Sequence, residues 1–199
     1  MIYRIGVTEK MPDMDGVSVA KIKNYPLEKE DYKPFAQFRA AISEKGLHIK
    51  MTSFEAKPDE HSTLAFVAAD TADSEKLIVA AVDNKGNLAA EVTDGSIKKL
   101  ISAEIPVRRF VGEDLQGIYW GAEVTVTAEF IPDFENLKKK GLNGNFFKLC
   151  RSGRVHFGSF FPYDFGLLAN SELSDSVDST VQLLAKEKNG LETMPTVQF

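Results

Sequence analysis

The chain alternates. In the stretch "GLHIKMTSF" at 46–54, Leu47, Ile49 and Met51 point one way while His48, Lys50 and Thr52 point the other. In "AEVTVTAEF" at 122–130, Ala122, Val124, Val126, Ala128 and Phe130 alternate with Glu123, Thr125, Thr127 and Glu129. A period of two marks strands with one dry and one wet face. The stretches "IYRIGV", "FAQFRAAI", "TLAFVAA", "KLIVAAV", "NFFKLC" and "RVHFGSFF" read as further strands. Turn residues separate them: "SEKG" at 43–46, "DNKGN" at 83–87 and "RSGR" at 151–154. Many short strands with Gly- or Asn-bearing turns predict a mostly β fold, an antiparallel β-sandwich of jelly-roll or immunoglobulin-like type. Residues 93–118 are less regular and read as a long connection.

The pattern changes near the C-terminus. In "SDSVDSTVQLLAKEKNG", Val177, Val181 and Leu184 recur at helical spacing, with Ser174 or Asp175 as cap and Gly190 as stop. One amphipathic helix is expected over about 174–189, packed on the sandwich, followed by a short tail "TVQF". Its apolar side either joins the core or docks a partner, and a lone apolar side is usually core.

The stretch "NFFKLCRSGRVHFGSFFP" at 145–162 is the densest in chemistry. A two-residue turn at Ser152-Gly153 would pair Arg151 with Arg154, Leu149 with His156, Phe147 with Gly158 and Asn145 with Phe160. That register gathers Asn, Arg, His and Phe side chains on one face, the better face for ligand contact.

At 199 residues the chain is expected to form a single domain. A net charge of -5, with no basic run longer than Lys138–Lys140, argues against a nucleic-acid partner. That triplet reads as a solvated loop. No apolar run is long enough for a membrane-spanning helix, and "MIYRIGVTEK" lacks the form of a secretion signal, so a cytoplasmic location is expected. The single cysteine, Cys150, excludes an internal disulfide and any CxxC motif, and reads as a small buried strand residue.

Three stretches resemble the family 9 carbohydrate-binding modules and their bacterial family 9-like relatives. They are "YPLEKEDYKPFAQFRAAISEKGLHIKMTSFEAKPD", "AEFIPDFENL" and "GLNGNFFKLCRSGRVHFGSFFP", spanning about 17–165 with their surroundings. The resemblance implies a β-sandwich that grips sugar ends between aromatic rings, assisted by polar side chains. Phe160 stands where the family hairpin usually has Trp, while Asn145, Lys148, His156 and Pro162 match their positions. Ala65, Ala81 and Asp83 occupy positions where relatives carry polar side chains. The family's C-terminal Phe-His and Phe-Gly segment is echoed in "YDFGLL", and the helix is extra.

The residues expected to contact a carbohydrate are therefore Trp120, Phe160, Asn145, His156, Tyr119 and Arg154. A pyranose has an apolar C–H face that stacks on an aromatic plane and hydroxyls that need fixed partners. Each residue also has a plainer reading. Trp120 after Tyr119 is either a stacking platform or a core anchor, and Phe160 is of a type most often buried. His156 reads as a satisfied strand histidine, Arg154 as a solvated turn residue and Asn145 as turn chemistry. A structural or interaction protein that has lost the sugar site is the alternative function, and a glycoside-active enzyme the third.

No catalytic signature accompanies these residues. His48, His61 and His156 are scattered, and no HExxH or GxSxG pattern occurs. Glu123 and Glu129 would stand about 20 Å apart along a strand, too far for a glycosidase pair. The calcium of some relatives would need clustered oxygens. "DTADSE" at 70–75 is the one acidic cluster and reads as a solvated loop, so no cofactor is expected.

Overall fold

Two sheets of seven strands each stack face to face in the computed structural model, which describes residues 2–28, 33–115 and 117–198. Residues 29–32 of the first family-like stretch and Phe199 of the tail lie outside the described residues. In chain order the first strands are β1 (Ile5–Val7), β2 (Ala20–Lys21), β3 (Phe35–Ser43), β4 (Gly46–Glu55), β5 (Thr63–Ala69), β6 (Lys76–Asp83) and β7 (Leu88–Asp94). Then come β8 (Ile97–Leu100), β9 (Val107–Asp114), β10 (Gly117–Thr127), helix α1 (Phe134–Lys140), β11 (Leu142–Cys150) and β12 (His156–Ser159). Helices α2 (Gly166–Ala169) and α3 (Val177–Lys186) and strands β13 (Glu192–Met194) and β14 (Thr196–Gln198) complete the chain.

The first sheet runs β14-β1-β3-β4-β10-β9, with β2 beside β3, and the second runs β12-β11-β5-β6-β7-β8, with β13 beside β11. Most pairs are antiparallel, as the turns require, but β1 is parallel to both β3 and β14. The alternation places Leu47, Ile49, Met51, Ala122, Val124 and Val126 between the sheets, against Leu64, Phe66, Ile78 and Phe146. The inward row ends at Val126. Ala128 and Phe130 belong to a 3-10 turn instead of the strand.

Helix α3 begins at Ser176, whose hydroxyl accepts from the Ser179 N–H at 3.1 Å, one or two residues later than the expected caps. It ends at Glu187, before Gly190. Val177, Val181 and Leu184 face the outside of the second sheet, packed with Ala65, Val67, Val79, Ala81 and Ala89. Each buried Val or Leu contributes about 1.5–3 kcal/mol. Ala65, Ala81 and Ala89 pair across three adjacent strands, so the backbone there has room for the helix. Ala65 and Ala81 thus form part of the seat of α3.

Four further expectations are corrected. Residues 93–118 hold β8 and β9, which are edge strands. Exposed edges carry no apolar alternation, which hid them. Lys138–Lys140 form the last turn of α1 instead of a loop, where cations favour the negative end of the helix dipole. The tail "TVQF" supplies β14. Finally, β11 and β12 pair Cys150 with His156, Leu149 with Phe157 and Lys148 with Gly158, one residue off the expected register. A five-residue loop replaces the two-residue turn because it is held from outside: Asp59 accepts from the Arg154 N–H at 3.2 Å. Cys150 Sγ, from the strand end, donates to Ser152 O at 2.9 Å.

Candidate functional site

The corrected register separates the hairpin residues that the sequence grouped. Asn145 falls on the outer side and is fully buried. Its Nδ2 donates to Phe161 O (3.1 Å) and Gly190 O (2.9 Å), while Oδ1 accepts from the Phe146 and Phe161 N–H groups. With all these bonds inside the protein, it clamps the hairpin to the segment after α3. Phe160 points between the sheets, edge-on to Tyr3 at 5.8 Å and to Phe161 at 4.6 Å. It only borders a hollow of about 350 Å³ beside Arg4, Lys21 and Lys23. Arg154 is on the exposed loop after β11.

Trp120 is 3% exposed and faces inward. Its Nε1–H donates to Glu55 Oε1 at 2.9 Å, and Lys148 Nζ lies 3.1 Å from the same oxygen. Ser53 and Ser62 hydroxyls also donate to the Glu55 carboxylate, and Lys148 donates to Ser62 Oγ. The Lys148 ammonium sits 5.4 Å from the Trp120 ring centroid. Burial acts to raise the Glu55 pKa, but Lys148 and the hydrogen bonds outweigh it and hold the carboxyl below its ordinary range. His156 is buried on the same side of β11–β12. Its Nδ1–H donates to Arg154 O at 2.8 Å, leaving Nε2 an acceptor with no partner among the described residues. Burial, with Lys148 nearby, pulls its pKa down to about 4. Burial likewise pushes the Cys150 thiol up to about 12, so this cysteine is inert.

Of the six expected residues, Tyr119 lines an open groove and Trp120 borders a smaller hollow of about 230 Å³ beside Asn84, Lys85 and Arg109, and the structure does not bring the six together. The groove, about 390 Å³, lies on the outer face of the first sheet. Strand register builds it in rows. Phe35, Phe54, Tyr119 and Gly112 are cross-strand neighbours on β3, β4, β10 and β9. The next row is Gln37, Thr52, Gly121 and Phe110, and the third is Arg39, Lys50, Glu123 and Arg108. The Phe35 and Phe54 rings are 5.3 Å apart, and those of Phe54 and Tyr119 are 6.1 Å apart. Phe35 is 42% exposed, and the other rings are half-buried.

Two glycines let the rings lie flat. A Cβ at Gly112 would stand 2.2 Å from the Tyr119 hydroxyl, and one at Gly121 would stand 2.8 Å from the tip of Phe110. The rings therefore fold across bare backbone.

The third row is a charge ladder. Arg108 grips Glu123 with two hydrogen bonds, of 2.7 and 3.1 Å. Lys50 Nζ lies 2.7 Å from Asp15 and 3.4 Å from Glu123, and 5.6 Å from the Phe110 ring. The Lys50 hydrogen bond holds the Asp15 carboxyl below its ordinary range. Asp15 arrives on a 3-10 turn at Met14–Gly16, which covers Ala41 at one end of this face.

Sequence reading assigned Lys50 and Thr52 to the wet face but passed over Phe54, the next residue of that parity, and Phe35 and Phe110 with it. An aromatic ring on the wet side of a strand was the available signal. The Asp70 carboxylate of the acidic cluster accepts from the Ala72 and Asp73 N–H groups and from Asn136. Among the described residues, no three His, Cys, Asp or Glu side chains come together as a group that could hold an ion.

By sequence, no protein-family profile and no curated protein matches the chain. Solved structures do match in shape. A Bacteroides uniformis protein provisionally described as carbohydrate-binding superposes with a TM-score of 0.61 at 16% identity, over 98% of this chain and 99% of that one. A family 9 carbohydrate-binding module of Caldicellulosiruptor kristjanssonii, solved with cellotriose, gives 0.59 at 11% identity, over 98% and 94%. Such a module from the same organism, solved with glucose, gives 0.53 at 12% identity, over 79% and 85%. The two-sheet sandwich of this chain is thus the fold of the family 9 carbohydrate-binding modules.

Proposed function

We propose that this chain is a non-catalytic carbohydrate-binding module whose ligand lies on the outer face of the first sheet. The observation that carries the reading is the aromatic row Phe35, Phe54 and Tyr119, which crosses three adjacent strands and faces solvent. Sugar C–H faces stack along such a row, and Gln37 and Thr52 in the adjoining row supply hydroxyl partners. The likeness to modules solved with glucose and cellotriose supports the ligand class. The other sheet offers no comparable face, because α3 occupies it. An open groove encloses little of a sugar, so affinity is weak.

Hydrolysis is disfavoured on physical grounds. Asp15 and Glu123 approach one another across Lys50, but a glycosidase needs one carboxylic acid kept protonated. Here Lys50 holds Asp15 ionised, and Glu123 is gripped by Arg108.

Titration of labelled protein with glucose and cellotriose, followed by NMR, tests the reading. Shifts are expected on β3, β4 and β10, including the Gln37 and Thr52 amides. Tyr119→Ala should weaken binding about tenfold, equivalent to about 1.4 kcal/mol, while Trp120→Phe should leave it unchanged. Absence of shifts at millimolar sugar, or shifts confined to the hollow beside Phe160, would sink it.

A further inference from the structure

Strand β9 ends the first sheet with no neighbour on its outer side among the described residues. It is long for an edge and carries large exposed apolar groups: Val111 is 76% exposed, and Leu115 just beyond it is fully exposed. Such an edge is a template for another strand. On the same flank, the second sheet ends in β8, where Ile97 and Leu100 are exposed.

The sequence of this edge, "VRRFVGEDL" at 107–115, is complementary to its own reverse about Val111. Laid antiparallel against a second copy, Val111 meets Val111, Arg109 meets Glu113, Arg108 meets Asp114 and Val107 meets Leu115. Phe110 then stands opposite Gly112. Every pair joins positions of equal parity, so side chains that face outward in one copy meet outward-facing ones in the other, and both sandwiches remain in line. Opposite charges thus face each other on both sides of the new ladder, an arrangement that stabilises strand pairs. Arg109 has no ion-pair partner among the described residues, and Glu113 is exposed. Arg108 keeps Glu123 on its own sheet and stands between two carboxylates.

We propose that the partner of this edge is a second copy of the chain, joined through β9 about a two-fold axis at Val111. A two-fold contact uses the same patch twice and must be self-complementary, which the Arg-Arg/Glu-Asp order across a central valine satisfies. The two aromatic grooves then open on the same side of one continuous sheet. The dimer stands independently of any sugar reading.

Sedimentation equilibrium over a wide concentration range tests it. The wild type should approach twice the chain mass of 22.0 kDa. Arg109→Glu and Glu113→Arg should each sediment as one chain, since each places like charges opposite one another. Mixing these two variants should restore a dimer containing one copy of each, as should the double variant R109E/E113R by itself. Restoration also shows that the single variants are folded. A wild type that stays at one chain mass would overturn the proposal, the charges then serving only to keep the edge from pairing. A dimer indifferent to both single variants would overturn it as well.

Discussion

The indole N–H of Trp120 donates to Glu55 Oε1 across 2.9 Å, from β10 to the neighbouring strand β4. The bond satisfies the ring's one polar atom inside the sandwich, so Trp120 is a core anchor with a built partner. Trp120→Ala is expected to cost about 3–5 kcal/mol of stability, the range for truncating a buried aromatic. A urea midpoint unchanged from wild type would contradict this assignment.

Glu55 and Lys148 form an ion pair with side chains 3% and 0% exposed. Removing one partner leaves a buried charge, so Glu55→Leu or Lys148→Met alone should destabilise by about 3–5 kcal/mol. Changing both together should recover most of that loss, because neither desolvation cost remains. A double variant no more stable than the weaker single one would show that Ser53, Ser62 and Trp120 need the carboxylate for themselves. The sign in acid follows from the depressed Glu55 pKa. Its contribution is present above the ordinary carboxylate value and is lost as pH falls through the folded value.

His156 gives a second window, at higher pH. The unfolded chain takes up a proton near the ordinary 6.5, while the folded imidazole resists until about 4. Folding stability should therefore fall between those values, by about 3 kcal/mol. In His156→Gln this part of the decline should vanish. Parallel stability-pH curves for the two proteins would show that the ring is protonated at no cost.

Much of the sandwich was legible because β4, β10 and the β3–β4 turn declare themselves locally. The row Leu47, Ile49 and Met51 faces inward as its alternation requires, and Ser43 pairs with Gly46 across a two-residue turn. What stayed hidden depends on distant chain. The β11–β12 register is set by Asp59, which no local pattern announces. Strands β8 and β9 lacked alternation because nothing covers them. The site was obscured for a similar reason: Phe54 and Phe35 become a surface only when β10 brings Tyr119 alongside. Of the expected contacts, Asn145, His156, Phe160 and Trp120 were conspicuous by residue type, yet each is buried, and of their polar atoms His156 Nε2 is left without a partner among the described residues.

The parallel pairing of β1 with β14 has a consequence for the order of assembly. Ile5–Val7 lie beside Thr196–Gln198, so a strand near the start of the chain is flanked by one near its end. Leu142–Gly144 of β11 likewise take Glu192–Met194 as neighbours. Both sheets therefore finish with the same few residues, which a ribosome delivers late. Until they arrive, β1 presents an open edge that invites mispairing. Closing loops of such length makes for slow folding. The hairpins β3–β4 and β5–β6 can form early, but the outer seams of both sheets close together at the end. Hydrogen-exchange labelling during refolding should find the β1 and β13 amides protected last.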